Sequence, residues 1–225
     1  MKIISHKNIA WIDFEDINQE DITYLQESFD IHPLALEELI TPTYQPKVVQ
    51  YENCLFLSIH IPLFDTAQRA TYAGELDIIL TETHLITSHR HGIYQIHKFH
   101  ADLTKSEGKR RLHLEETPAH LMYQVIEILL RSCFPKLRHV SERLDFIEHQ
   151  VFAEKEKEMV VEISVLKRDI LNFRRTLKPQ RSIIESLVQK DYPYIPSSMK
   201  VYFQDLIGTN IRLWNILESQ KETIE

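Results

Sequence analysis

Four carboxylates stand out by their placement. Glu127 interrupts the apolar run Val125, Ile126, Ile128, Leu129 and Leu130. A charge set in so apolar a surface is costly unless it is paired, bound to a cation, or turned onto an exposed stripe beside the seam. Glu37 and Glu38 are adjacent in the short segment PLALEELI, and Glu222 lies almost opposite Ile224 around the last helical segment. Taken singly, all four read as ordinary surface acids. Among the 12 histidines, His84, His89, His91, His97 and His100 are close in sequence, yet none makes an HExxH pattern or a zinc-ligand spacing. His97 and His100 can share a helical face, and the group reads as solvated or hydrogen-bonded surface histidines. Cys54 sits in a strand pattern without a neighbouring base, and no GxSxG elbow, P-loop or GxGxxG occurs. The chain therefore offers no constellation for an enzyme.

The elements that must position these residues change character near residues 105–111. Before that point strand and helix signals alternate. Residues 9–14 (IAWIDF) form a strand rich in β-branched and aromatic side chains. Asn18, followed by Glu20 and Asp21, caps a helix through Tyr24, Leu25 and Phe29, and Pro33 opens a second helix that ends before Thr41 and Pro42. Residues 47–51 and 55–63 pair as a hairpin about Glu52 and Asn53. A second hairpin joins 76–81 to 84–89 about Glu82 and Thr83. Ile93, Ile96, Phe99 and Leu103 mark a covering helix.

After that point everything reads as helix. Thr117 and Pro118 supply an N-cap and a first-turn proline. Ile126, Leu130, Cys133, Leu137, Val140, Leu144, Ile147 and Val151 then alternate steps of four and three, a coiled-coil seam. That helix would span residues 118–151, roughly 50 Å, with a kink at Pro135. The segment AEKEKE (153–158) is the expected turn into a second seam at Met159, Ile163, Leu166, Ile170, Phe173 and Leu177, and the two helices fold back as an antiparallel hairpin. Pro193 and Pro196 stop the second helix, Ser197 or Ser198 caps a third, and that helix runs to the last residue without a stop signal. Its acidic final turn opposes the macrodipole, so a continuing helix is expected.

The 225 residues suit one sizeable domain with a helical extension, and a content of 43% hydrophobic and 26% charged residues excludes wholesale disorder. Four glycines exclude Gly-rich linkers, and two cysteines exclude a disulfide framework. The formal net charge of −7 argues against a nucleic-acid partner and leaves cation binding open. The amino terminus meets polar residues too early for a signal peptide, and no apolar run reaches the roughly 18 residues of a membrane helix. The expectation is a soluble, cytoplasmic α+β chain: a mixed β-sheet sandwiched by helices (1–110), a long antiparallel helical hairpin (111–196) and a long C-terminal helix (197–225).

The string FDIHPLALEELITPTYQPKVVQYENCLFLSIHIP resembles the amino-terminal domain of CorA-type divalent-metal transporters, through His32-Pro33-Leu34, Glu37-Glu38, Pro46-Lys47-Val48 and the strand at 55–59. ELDIILTETHLITSHR is similar to that family's second hairpin, and IEHQVF with LKRDILNFRRTLKPQRSIIESL to its helical hairpin. The resemblance implies a homopentamer whose cytoplasmic domains form a funnel, in the inner membrane of the cell through transmembrane helices absent from this chain. It implies Mg2+ as the regulatory and transported ion, with Co2+, Ni2+ or Zn2+ as alternatives. It also implies that acids of the short helix, the first long helix and a neighbour's stalk bind divalent cations between subunits: Glu37, Glu38, Glu127 and Glu222. Several family positions carry Asp where this chain has Glu, which alters reach and leaves binding through ordered water open. Magnesium prefers oxygen ligands and keeps several waters, which suits a loose carboxylate cluster. Without the ion, two such charges about 4 Å apart repel by roughly 4 kcal/mol at an effective dielectric near 20. The alternatives are a zinc-transporting relative of the same superfamily and a soluble coiled-coil assembly protein.

Overall fold

The computed structural model describes residues 1–68, 70–90, 92–114, 116–152 and 156–225, and the side chains of all of these except 151, 152 and 156–158. Among the described residues, six strands make one sheet: β1 (Lys2–His6), β2 (Ile9–Glu15), β3 (Lys47–Gln50), β4 (Leu55–Asp65), β5 (Ala70–Leu80) and β6 (His84–His89), in the order β1-β2-β6-β5-β4-β3. Every neighbouring pair is antiparallel except β2 with β6. The sheet is therefore mixed, as expected, and the fold is α+β.

Side-chain alternation divides the sheet into two buried faces. Ile12, Phe14, Phe56, Ile79 and Ile86 point to one face, where α1 (Gln19–Ser28) and α2 (Pro33–Ile40) bring Ile22, Leu25, Leu36 and Leu39. Trp11, Leu55, Leu57, Ile78 and Leu85 point to the other face and join the larger core of the remaining helices. These are α3 (Tyr94–Lys105), α5 (Pro118–Arg131), α6 (Cys133–Phe152), α7 (Glu156–Leu177), α8 (Gln180–Gln189) and α9 (Lys200–Ile224), while the short α4 (Glu107–His113) buries none of its residues. Trp11, Phe14, Phe56 and Phe203 are fully buried, and each such side chain contributes roughly 1.5–3 kcal/mol of transfer free energy.

Local chemistry fixes the element ends. The Asn18 carboxamide accepts from the amides of Glu20 (2.8 Å) and Asp21 (3.1 Å), while Asp21 accepts from the Asn18 amide (3.1 Å), a complete capping box. Thr117 caps α5 by accepting from the His120 amide at 3.1 Å, and Thr81 closes the β5–β6 turn by accepting from the His84 amide at 2.9 Å.

The helices differ from the sequence expectation in three places. The long helix over 118–151 is broken at Ser132 into α5 and α6. Pro135 has no amide to give to the carbonyl one turn back, and the Ser132 hydroxyl (2.7 Å) and Cys133 thiol (3.6 Å) both turn to the Leu129 carbonyl. The second helix ends at Leu177, ahead of Pro179, and resumes as α8. Neither Ser197 nor Ser198 caps the last helix: Pro196 leads a 3-10 turn (Ser197–Met199) that runs into α9 without a side-chain cap. Within the expected turn AEKEKE, 153–155 lie outside the described residues, and 156–158 are already helical.

The helical layer is latched to the β4–β5 arm by side chains that bond backbone. Asp169 accepts from the Thr71 amide at 2.9 Å, Asn172 donates to the Thr71 carbonyl at 2.8 Å, Gln180 to the His60 carbonyl at 2.9 Å, and Lys136 to the Pro62 carbonyl at 2.6 Å. Gln220 joins α9 to α6 by donating to the Leu137 carbonyl at 2.6 Å. In the arm itself, Gly74 pairs with Ile61, and a Cβ at Gly74 would fall 2.3 Å from Leu63 Cδ1. Any larger residue would have to push the Leu63 side chain aside.

Candidate metal site

The two acids of α2 differ. Glu37 is exposed, whereas Glu38 is half-buried and bound by Lys47 of β3 at 2.5 Å. They flank a shallow cavity of about 200 Å³ with Leu34, Thr41 and Tyr51. Burial, with the Glu38 charge behind it, pushes the Tyr51 phenol up.

Glu127 is half-buried on α5, so its apolar surroundings did signal a constrained charge. Its partner is Arg131, one turn on, whose Nε donates to Glu127 Oε1 at 2.8 Å. Tyr123 stands one turn before it. Burial, then the charge of Glu127 and its hydrogen bond, then the charge of Asp205 push the Tyr123 phenol up to about 12. Asp205, exposed on α9, is thus a second acid at this place. Sequence reasoning passed over it because nothing in α9 alone shows which residue faces Glu127.

Glu222 is exposed near the end of α9. It lies 17 residues beyond Asp205, roughly 25 Å along the helix axis, so one chain does not bring it to Glu127. Glu37 and Glu38 ride on the α1–α2 face of the sheet and Glu127 on the other. Within one chain the Glu37–Glu38 pair, Glu127 and Glu222 therefore occupy three separate places, and among the described residues no group of three or more His, Cys, Asp or Glu could hold a metal ion.

The histidines are more buried than the sequence suggested. His89, 2% exposed, lies 3.5 Å from Asp13, and His100 is 6% exposed and packs on Trp11 with ring centres 5.2 Å apart. Thr87 donates to Asp13 at 2.6 Å and accepts from the Trp11 indole at 2.9 Å. Burial would raise Asp13, but the hydrogen bond and charge of His89, with Thr87 behind them, hold its carboxyl below the usual range. His97 meets Glu15 at 3.1 Å, and His91 lies outside the described residues. Both cysteines are fully buried, and burial pushes Cys54 up and Cys133 up to about 11, which leaves neither as a thiolate nucleophile.

One buried acid had no signal in the sequence. Asp77 of β5, 5% exposed, projects to the α1–α2 face beside Ser58 and Ser88, and its Oδ1 has no hydrogen-bond partner. Burial pushes its carboxyl up to about 8; the Ser58 hydroxyl pulls the other way, and the charges of Glu75 and Glu38 add to the rise. The acid is therefore largely protonated at neutral pH. An alternating strand such as ELDIIL gives no hint of whether its polar positions face water or a covering helix.

Known proteins bear on this arrangement. The CorA-like Mg2+ transporter protein family matches residues 6–225. The protein YfjQ of Bacillus subtilis is 27% identical over 94% of this chain and 64% of its own length. The cobalt/magnesium transport protein CorA of Thermotoga maritima is 25% identical over 96% of this chain and 61% of its own length. The chain thus spans less than two thirds of these curated relatives. In fold it is similar to the soluble domain of CorA from Methanocaldococcus jannaschii, with a TM-score of 0.86 at 22% identity over 96% of this chain and 85% of that one. No helix among the described residues is long and apolar enough to cross a membrane. With the family matched over nearly the whole chain and the same α+β architecture, this chain belongs to the CorA-like Mg2+ transporter protein family.

Proposed function

We propose that the chain is the ion-responsive cytoplasmic domain of a pentameric, membrane-anchored Mg2+ transporter, in which Glu37, Glu38, Glu127 and Glu222 of adjacent copies converge on divalent cations. The observation that carries this reading is the separation of the acids within one chain. Glu37 and Glu38 sit together on one face of the sheet, Glu127 on the other and Glu222 at the far end of α9, so a site that joins them draws on a second copy. Lys47 and Arg131 hold the two half-buried carboxylates of Glu38 and Glu127 in place. Magnesium, with its retained waters, suits such spaced donors, and Co2+ is the competing cargo, since a relative is named for both metals. Filling the sites would draw the ring into a closed arrangement and emptying them would let it splay, a population shift of the ordinary linked kind.

The test is thermal melting and sedimentation of the 225-residue chain across a magnesium titration, with Glu127→Gln and Glu222→Ala beside the parent. Ligand at tenfold above its Kd stabilises by about 1.4 kcal/mol, so the parent's melting temperature is expected to climb and its assembly to grow, and both variants to respond less. A parent chain whose melting and assembly ignore magnesium would refute the sensing role.

A further inference from the structure

We propose that the wedge between the tip of the β4–β5 arm and the α6–α7 hairpin binds a small amphipathic zwitterion, an amino acid with an apolar skeleton. It is a cavity of about 360 Å³, within the range of small-molecule sites. Leu63 of β4, Val140 of α6, and Leu166 and Phe173 of α7 give it apolar walls, and all four are buried. Such walls alone would suit any oily molecule. What selects one is a charge of each sign in the lining, each short of a counter-charge.

The negative charge is Asp169 of α7, only 4% exposed. Its Oδ1 accepts from the Thr71 amide at 2.9 Å, while its Oδ2 has no partner among the described residues and is not sealed from solvent. The open space that Asp169 borders is this cavity. A carboxylate so buried, with no cation paired to it, is costly until a positive donor meets it. The positive charge is Lys136, half-buried in the wall that α6 provides. Its ammonium gives one hydrogen bond, to the Pro62 carbonyl at 2.6 Å, and no carboxylate pairs with it among the described residues. Burial pulls that ammonium below the usual lysine range. The other ionisable groups of the lining are already engaged: Arg143 pairs with Glu162, and the exposed His139 lies 3.7 Å from Glu142. A plain anion would have to face Asp169, and a plain amine Lys136. A molecule that carries both an ammonium and a carboxylate on an apolar frame answers the two together.

The site is independent of the magnesium reading, and its test is run in EDTA on the 225-residue chain. Isothermal titration compares L-phenylalanine, whose charges share one carbon, with 6-aminohexanoate, whose charges sit at the ends of an apolar chain. Each is set against its single-charge halves: phenethylamine and 3-phenylpropanoate, hexylamine and hexanoate. Saturable binding of a zwitterion is expected, with both of its halves weaker by at least ~10-fold. The tighter zwitterion assigns the spacing of the charges, and either one upholds the site. Asp169→Asn keeps an oxygen for the Thr71 amide and removes the charge, so there the zwitterion should bind no better than its carboxylate half. Lys136→Met keeps the apolar stem, and there it should bind no better than its amine half. The series of halves in the parent chain tests the site even where a variant melts early. No binding of either zwitterion at about 10 mM, weaker than a site with two charge-assisted contacts should show, overturns the proposal. So does a single-charge half that binds as tightly as its zwitterion, and so does zwitterion binding that survives both variants.

Discussion

Asp77→Asn should remove a pH dependence that a single buried acid imposes on the whole domain. The folded chain holds the Asp77 proton up to a pKa of about 8, against an ordinary value of 3.8. Between those limits the folded state binds the proton more tightly than the unfolded state does, so stability falls as pH rises. Each unit of pH lowers it by about 1.4 kcal/mol through this group alone. From pH 5 to pH 7 the loss is therefore about 3 kcal/mol, and it levels off above pH 8. Asparagine keeps the shape and stays neutral, so the variant should lose less stability over that interval and should overtake the parent at pH 8. Urea unfolding of both proteins at pH 5, 6, 7 and 8 measures the difference directly, since every other titrating group cancels. Parallel curves would show that Asp77 is ionised at neutral pH and the argument from its burial is wrong.

Three further outcomes are expected. Asp13→Asn should destabilise by about 1–3 kcal/mol above pH 4, where the depressed carboxylate contributes, and the gap to the parent should close as pH falls below 3.8; urea unfolding at pH 3 and pH 7 checks this. Asp169→Ala strips the buried Thr71 amide of its acceptor and should lower stability by about 1–3 kcal/mol, while Asp169→Asn, which keeps an oxygen, should lose less in the same melting assay. Gly74→Ala forces Leu63 aside and should destabilise by about 1–3 kcal/mol, with Leu63→Ala in the same chain relieving most of it in a double-mutant cycle.

The sequence spoke clearly where one element decided its own structure. The Asn18 box, the Thr117 cap and the spacing from Cys133 to Ile147 all state their geometry locally, and every seam residue from Cys133 to Ile147 is buried. It was silent where a partner decided. Strand β1 has polar residues interleaved in KIISH and turns through Lys7 at a φ of 52° without a glycine, so no hairpin signal marks it. The first half of β5, with Gly74, looks too weak for a strand until β4 is laid beside it. In the candidate site, Arg131 could be read from its four-residue spacing to Glu127. Lys47, Asp205 and Asp77 could not, because their neighbours come from other strands and helices.

The parallel pairing of β2 with β6 carries a consequence for how the chain acquires its fold. The Asp13–Thr87 contact spans 74 residues, so the β1–β2 ribbon, made before the rest of the sheet, has no sheet to join until β6 exists. Two-stranded ribbons are marginal alone, and pairings of such long range are slow to form. The β3–β6 meander is therefore expected to assemble first and dock the leading ribbon last, with Trp11 and its polar network among the late events of folding.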